Sequence, residues 1–332
     1  MDIKYRPRKI LLHLGYPKNG STSIQQFLNK IYNDNLAIFL PPSQFSAYIR
    51  KKNIYNQYKD INNEIFFEEK ISPKKEKWIK FFDLNLKKYN VLSNEMFLYP
   101  TNYEKVDFIR TLKRYLEIFN TLNCKIEILI CIRDPKKLHI SYFTDMYHRL
   151  LQYDNELDNF EKYILSVKKN KIVNDIFNTF NFNKIVKQIQ QLDQGFKINE
   201  NLHILKLENL DNFKKYLFKF CEDLDLKKNY DYLRIQKEHI TKKKSEIYIR
   251  NFDVISFFFK YDPKNRINYS IKKRLKSSVI LNFLLGLYKI KNRYDNFTTD
   301  IVNDYYKEDL KELEFTTKLN LRKYYELWVV IF

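Results

Sequence analysis

The sequence has few of the residues that form turns or disulfides. Only 4 glycines and 8 prolines occur in 332 residues, which argues against an all-β protein built from many tight turns. The three cysteines, Cys124, Cys131 and Cys221, are odd in number, and their spacing matches no metal-binding pattern. Cys124 and Cys131 flank or lie in an apolar run and are interpreted as core thiols, so a reducing cytoplasm is the expected compartment.

Long apolar runs are also missing. The two longest, Val254–Phe259 and Val279–Tyr288, are far shorter than the ~20 residues that a membrane-spanning helix needs. Residues 1–9 contain no apolar segment of the kind found in signal peptides. We therefore expect a cytoplasmic protein with no transmembrane segment.

Positive charge, in contrast, is in excess. The chain has 60 Lys and Arg against 40 Asp and Glu, which gives a net charge of +20. This charge fits an anionic partner such as nucleic acid, a nucleotide or an acidic glycan. It fits equally well with lysine enrichment from an AT-rich coding bias on solvated helix faces. Hydrophobic residues make up 44% of the chain, which is ample material for a folded core.

Apolar runs of strand length alternate with segments of helical periodicity. The predicted strands lie at 10–14, 36–40, 89–93, 125–132 and 202–207, and the predicted helices at 21–31, 106–120, 136–151 and 212–223. This alternation predicts an α/β protein whose central parallel sheet is covered by helices on both faces. From about Gln236 onward the pattern is helical with no clear strand. The stretches 154–198 and 225–244 are expected to be inserted or mobile segments.

The strand, loop and helix at Ile10–Phe27 form the first candidate site. A helix N-terminus offers unpaired N–H groups and the positive end of the helix dipole, so it binds phosphate readily. Gly15 and Gly20 allow the backbone to turn and to approach a ligand closely, and Lys18 supplies a positive charge. The candidate phosphate-binding residues are Lys18, Asn19, Gly20, Ser21, Thr22 and Ser23.

This loop differs from the ATP-binding loop of P-loop NTPases. That motif requires Gly-x4-Gly-Lys-[Ser/Thr], whereas Ser21 stands here in the place of the lysine, and Lys18 lies two residues before Gly20. The run Lys-Asn-Gly-Ser-Thr-Ser-Ile-Gln that starts at Lys18 resembles instead the 5′-phosphosulfate loop of sulfotransferases that use 3′-phosphoadenosine 5′-phosphosulfate (PAPS). An ordinary glycine-containing turn between a strand and a helix is the alternative.

A second motif follows the predicted strand at 125–132. Arg133 stands at its carboxyl end, where α/β folds bind ligands, and a guanidinium can donate two hydrogen bonds to a phosphate. Ser141 follows eight residues later, after Asp134 and Pro135. This spacing resembles the motif with which the same family binds the 3′-phosphate of PAPS, which implies that role for Arg133 and Ser141. A surface ion pair of Arg133 with Asp134 is the alternative.

Glu95 comes just after the short strand predicted at 89–93. Sulfuryl transfer to a hydroxyl needs a base for the acceptor proton and a cation near the departing phosphate. Members of the family that act on carbohydrates often have Ser-x-Glu here, so the resemblance implies Glu95 as the base and Lys18 as the cation. A capping or ion-paired surface carboxylate is the alternative for Glu95. His13, inside the first strand, is interpreted as a core residue or as one lying behind the site.

The resemblance, which is to the bacterial, carbohydrate-acting branch of the family, implies a P-loop NTPase-like three-layer fold with a helical C-terminal part. It implies one sulfotransferase domain over residues 1–332, with a nucleotide-binding core at about 8–225 and a helical extension at about 236–332. The expected co-substrate is PAPS, the product is 3′,5′-bisphosphoadenosine, and the acceptor is a hydroxyl, with an anionic glycan as a candidate. No metal and no nucleic acid are expected. A P-loop-type nucleotide kinase and a basic nucleic-acid-binding protein stay open as alternatives.

Overall fold

The structure is a computed structural model. It describes residues 8–15, 18–21, 24, 37–39, 61, 64–65, 75–85, 89–94, 108–153, 156–168, 181–193, 196, 201–207, 215, 246–249, 290–293 and 296–322. The chain divides into two compact units. The first comprises Met1–Asp134, Asp175–Glu238 and Glu308–Tyr324, and the second comprises Pro135–Asn174, His239–Lys307 and Tyr325–Phe332.

The first unit contains a parallel sheet. Its strands are β1 (Arg8–Leu14), β2 (Ala37–Phe39), β3 (Tyr89–Asn94), β4 (Cys124–Ile132) and β5 (Leu202–Lys206). Within the described residues the sheet has five strands in the order β2-β3-β1-β4-β5, and every pair is parallel. Each strand predicted from the sequence overlaps one of these, so the prediction of a parallel α/β sheet is confirmed.

The two central strands are buried on both faces. Successive side chains of a strand point to opposite faces of the sheet, yet every residue of 10–14 in β1 and of 126–132 in β4 is buried. Such strands need a covering layer on each side. The predicted three-layer α/β architecture is therefore confirmed, and this burial also explains why both strands are almost continuously apolar in sequence.

The helices for which the structure gives bounds are, in chain order, α1 (Lys75–Asn85), α2 (Phe108–Thr121), α3 (Pro135–Tyr153), α4 (Phe160–Lys168), α5 (Phe182–Gln190) and α6 (Asn296–Thr317). In the first unit, α2 buries an apolar face at helical spacing and packs against α1. Phe82 of α1 makes edge-to-face contacts with Phe119 and Tyr115 of α2, with ring centroids 5.1 Å and 6.1 Å apart. Such pairs stabilise a core beyond the area that they bury.

The second unit combines α3 and α4 with a two-stranded antiparallel ribbon of β6 (Glu246–Ile249) and β7 (Ile290–Arg293). These strands lie where the sequence pattern predicted helices only, and that prediction is wrong for them. Two strands of four residues leave a signal too short for a pattern of apolar residues to identify. Asn159 caps α4, since its Oδ1 accepts a hydrogen bond of 2.8 Å from the N–H of Lys162.

Helices α4 and α5 contradict one half of a second expectation, that of a mobile segment, while the other half, an insertion, stays a prediction. Both lie inside 154–198, which was expected to be an inserted or mobile segment, yet each buries an apolar face that includes Phe160 and Ile164 in α4 and Val186 and Ile189 in α5. Of the cysteines, Cys131 is buried and Cys124 is half-buried, while Cys221 and the stretch 225–244 lie outside the described residues. Burial raises the pKa of the Cys131 thiol.

None of the helices that the structure describes combines the length and the apolar composition needed to cross a lipid bilayer. The cytoplasmic location stays a prediction. The division into one nucleotide-binding core and one C-terminal extension also stays a prediction.

Candidate active site

The strand order places a ligand crevice at the carboxyl ends of β1 and β4. These strands are neighbours, but the chain leaves β1 towards β2 at one edge of the sheet and leaves β4 towards β5 at the other. In open α/β sheets, ligands bind where the connections diverge in this way. Gly15 follows β1 directly, and Arg133 follows β4 directly. Both sequence motifs therefore start at this crevice.

The loop after β1 has an unusual backbone. Lys18 has a φ of 64° and Gly20 a φ of 73°, and both values lie in the left-handed region that a residue with a Cβ atom adopts at a cost of roughly 1–2 kcal/mol. At Gly20 the space is also restricted, because a Cβ atom would lie 2.9 Å from Cδ2 of Leu207, just after β5. Strain at a residue such as Lys18 is typical of functional sites.

A helix begins directly after this turn. Ser21 is its first residue, and the N–H of Ile24 donates a hydrogen bond of 3.0 Å to the carbonyl of Gly20. The first turn of a helix has N–H groups without partners inside the helix, which suits the binding of an anion. Ser21 is buried at this helix start. Thr22 and Ser23 lie outside the described residues, so their roles stay predictions.

Two hydrogen bonds connect the loop to the end of β4 and to the residue that follows it. Nη1 of Arg133 donates to the carbonyl of Lys18 at 2.9 Å, and Nδ2 of Asn19 donates to the carbonyl of Cys131 at 2.9 Å. The partners are 115 and 112 residues apart in the sequence. The structure thus brings the predicted 5′-phosphate loop and the predicted 3′-phosphate arginine together. The roles of Cys131 and Leu207 were missed, because a backbone carbonyl and a packing contact leave no mark in a motif.

His13 joins the ends of β1 and β3. It is fully buried, and its Nδ1 lies 2.8 Å from Oγ of Ser93, its register partner in β3. Burial lowers the pKa of His13 to about 3, so the imidazole is neutral at physiological pH. Its Nε2 is buried and has no hydrogen-bond partner among the described residues. The interpretation of His13 as a core residue is confirmed.

For two predicted site residues, the place relative to the loop stays a prediction. Glu95 lies one residue beyond β3 and outside the described residues, so its role as the base stays a prediction. Ser141 lies in α3 and belongs to the second unit, whereas Arg133 belongs to the first. A shared 3′-phosphate site of Arg133 and Ser141 also stays a prediction.

Comparison with known proteins identifies the family. A family model described as a sulfotransferase domain matches residues 7–256, which include both motifs and more than half of the chain. The chain belongs to the sulfotransferase family. It is therefore a transferase of sulfur-containing groups, and this family generally uses PAPS as the sulfate donor.

Similarity to solved structures is remote. The sulfotransferase is similar to the crystal structure of a sulfotransferase from Alicyclobacillus acidocaldarius, with 12% identity, a TM-score of 0.47, and coverage of 97% of this chain and 99% of that one. It is also similar to a structure of the PezAT chromosomal toxin-antitoxin system of Streptococcus pneumoniae, with 12% identity, a TM-score of 0.29, and coverage of 66% and 87%. No curated protein gives a significant match. The family assignment therefore rests on the family model.

Proposed function

We propose that this sulfotransferase transfers the sulfuryl group of PAPS to a hydroxyl group of a glycan. The observation that carries the proposal is the hydrogen bond of 2.9 Å between Arg133 and the carbonyl of Lys18. It joins the two motifs whose family counterparts bind the 5′- and 3′-phosphates of PAPS. A 3′-phosphate distinguishes PAPS from ATP, so a cation beside the 5′-phosphate loop supports PAPS as the donor.

The loop supplies the electrostatic part of the reaction. The acceptor oxygen attacks sulfur in line, and the bond between sulfur and the bridging phosphate oxygen breaks as the new oxygen–sulfur bond forms. Negative charge then develops on the departing 5′-phosphate. Lys18 and the N–H groups of Asn19, Gly20, Ser21, Thr22 and Ser23 stabilise this charge, and donors held in place before the reaction do so with little reorganisation.

Arg133 and Ser141 bind the 3′-phosphate in this proposal. A guanidinium has five N–H donors in a planar fork, so Arg133 can bond to the Lys18 carbonyl and to phosphate oxygens through different N–H groups. Ser141 would add a hydroxyl donor. The product, 3′,5′-bisphosphoadenosine, retains both phosphates and should bind to the same residues.

Glu95 acts as the base in this proposal. It would take the proton from the acceptor hydroxyl as that oxygen attacks sulfur. A carboxylate at this place is typical of the carbohydrate-acting members of the family, which supports a glycan acceptor. The net charge of +20 is compatible with an anionic glycan. No metal ion and no nucleic acid take part.

The proposal is tested by calorimetry with 3′,5′-bisphosphoadenosine, followed by a screen for PAPS consumption with glycans and small alcohols. We expect binding of the bisphosphate and turnover with at least one glycan. Absence of bisphosphate binding would refute PAPS as the donor. Turnover of ATP and Mg²⁺ without any response to PAPS would support a nucleotide kinase, although Ser21 stands where its lysine belongs. A salt-sensitive gel shift without bisphosphate binding would support a nucleic-acid-binding protein.

A further inference from the structure

Asn19 is a polar residue that is fully buried. The residue is 0% exposed, its Nδ2 donates to the carbonyl of Cys131, and its buried Oδ1 accepts no hydrogen bond from the residues that the structure describes. A buried oxygen without a partner is unfavourable, and an apolar side chain of the same shape would avoid that cost. The amide at this position is therefore explained by its bond to β4 and not by packing.

The hydrogen bond between Asn19 and Cys131 acts on the loop at 18–20, whose backbone is strained at Lys18. Asn19 lies between Lys18 and Gly20, both of which have a left-handed backbone. The carbonyl of Lys18 and the N–H of Asn19 belong to one trans peptide group, so they point in opposite directions. Arg133 holds the carbonyl of this peptide group, and the Asn19 side chain holds the next Cα to β4. Together the two bonds fix the orientation of the peptide between Lys18 and Asn19.

We propose that Asn19 is a positioning residue that holds the Lys18 loop in the conformation that binds a 5′-phosphate. The proposal rests on the proposed function, because it assumes that this loop binds the 5′-phosphate of the nucleotide. Asn19 acts through the loop backbone: its side chain keeps the Lys18–Asn19 peptide in place before the ligand arrives. Such preorganisation lowers the cost of binding. A substitution of Asn19 should therefore weaken the binding of the 5′-phosphate and leave the binding of the 3′ end of the nucleotide unchanged.

The test uses Asn19→Ala and Asn19→Leu, since leucine fills a similar space without a donor. Asn183→Ala is the matched control. Asn183 lies in α5 of the same unit and is buried, and its Nδ2 donates to Oε2 of Glu312 at 2.6 Å. Like that of Asn19, its Oδ1 has no hydrogen-bond partner in the described part of the chain. Calorimetry with 3′,5′-bisphosphoadenosine and with adenosine 3′-monophosphate measures binding, and thermal unfolding measures stability.

We expect each of the three variants to lose some stability, because each removes one amide hydrogen bond, which is buried at Asn19 and partly buried at Asn183. The Asn19 variants should bind the bisphosphate about tenfold more weakly, which corresponds to the loss of about one hydrogen bond. Asn183→Ala should bind it with wild-type affinity. Affinity for adenosine 3′-monophosphate should stay unchanged in all three, since this ligand has no 5′-phosphate.

The outcomes separate this inference from the proposed function. If the wild type does not bind the bisphosphate, the proposed function fails. If the wild type binds and the Asn19 variants bind equally well, only the positioning role of Asn19 is refuted. Equal losses for both nucleotides, or failure of both Asn19 variants to fold, would show a general structural role and would also overturn the inference.

Discussion

Two buried histidines, one in each unit, differ in the hydrogen bonds of their ring nitrogens. Burial lowers the pKa of both His13 and His139 to about 3. In the second unit, His139 has a partner at each ring nitrogen: Nδ1 lies 3.1 Å from the hydroxyl of Tyr163, and Nε2 lies 2.9 Å from the hydroxyl of Tyr306. In the first unit, His13 has Ser93 at one nitrogen, and no residue within the described ranges bonds to its Nε2.

The neighbourhoods of the two histidines extend this contrast. Around His139, Tyr163 packs against Phe143 and Phe160, with ring centroids 5.3 Å and 5.9 Å away. Beyond His13, the chain enters a loop in which Lys18 has a left-handed backbone and the buried Asn19 oxygen finds no partner in the part of the chain that the structure describes. Backbone strain of the kind found at Lys18 lowers stability and is typical of functional sites, whereas packed aromatic rings stabilise a core. We infer that the region of His13 and the loop after β1 serves binding, whereas the region around His139 serves stability.

The largest expected effect comes from the loop. Lys18→Ala should lower the turnover of PAPS by about 10²–10³-fold, because it removes a preorganised cation from the developing phosphate charge. Its thermal unfolding should change little. Steady-state assays of sulfuryl transfer measure the effect, with Lys113→Ala, an exposed lysine of α2, as the control. Equal turnover in both variants would remove Lys18 from the active site.

Arg133→Ala should have the next largest effect. It removes the hydrogen bond to the Lys18 carbonyl and the proposed partner of the 3′-phosphate, so bisphosphoadenosine should bind about 10- to 100-fold more weakly. Arg133→Lys should restore only part of the affinity, because lysine lacks the planar fork. Calorimetry measures both variants. Wild-type affinity in Arg133→Ala would refute the assignment of Arg133 to the nucleotide site.

Acid should destabilise the protein through both histidines. The pKa of each is about 3 in the folded state and about 6.5 in the unfolded state, so the unfolded chain binds more protons between these values. Stability therefore falls as pH decreases below about 6.5, by roughly 2 kcal/mol per histidine between pH 7 and pH 5. Urea unfolding at several pH values measures this. In His139→Gln, the loss of stability between pH 7 and pH 5 should be smaller by the contribution of one histidine. The same dependence of stability on pH in this variant and in the wild type would contradict the prediction.

The smallest effect should come from a variant that makes His139 resemble His13. Tyr306→Phe removes the hydroxyl that lies near Nε2, which should lower stability by about 1–2 kcal/mol. Bisphosphoadenosine affinity should not change. Tyr305→Phe is the control, since Tyr305 is 43% exposed and adjacent in sequence. If Tyr306→Phe weakened nucleotide binding instead, the division of the two regions into binding and stability would be wrong.

Much of the first unit was predictable because its signals are local. The strands at β1 and β4 are apolar runs that end at Gly15 and Arg133, and the parallel sheet follows from their alternation with helices. The ribbon of β6 and β7 was not predictable, since Glu246–Ile249 pairs with Ile290–Arg293 across some forty intervening residues, and each strand by itself is too short to be recognised.

The candidate site was predictable in its residue types but not in its connections. The motif around Lys18 and the strand-end position of Arg133 indicated phosphate binding. The bond of Asn19 to the Cys131 carbonyl was not foreseen, because any residue of β4 could offer a carbonyl and only the folded sheet selects one. The positions of Glu95 and Ser141 relative to the loop depend on packing that a motif does not encode.

The hydrogen bonds of the loop should form late in folding. Lys18 and Asn19 leave the ribosome before Cys131 and Arg133, which hold them and lie 112 and 115 residues further along the chain. Because contacts of such separation form only after a large loop has closed, they are slow to form. A nascent chain that ends before β4 has the complete phosphate-loop sequence but neither of these bonds. Nucleotide binding should therefore appear only once β4 has docked beside β1, and it would report completion of the central sheet.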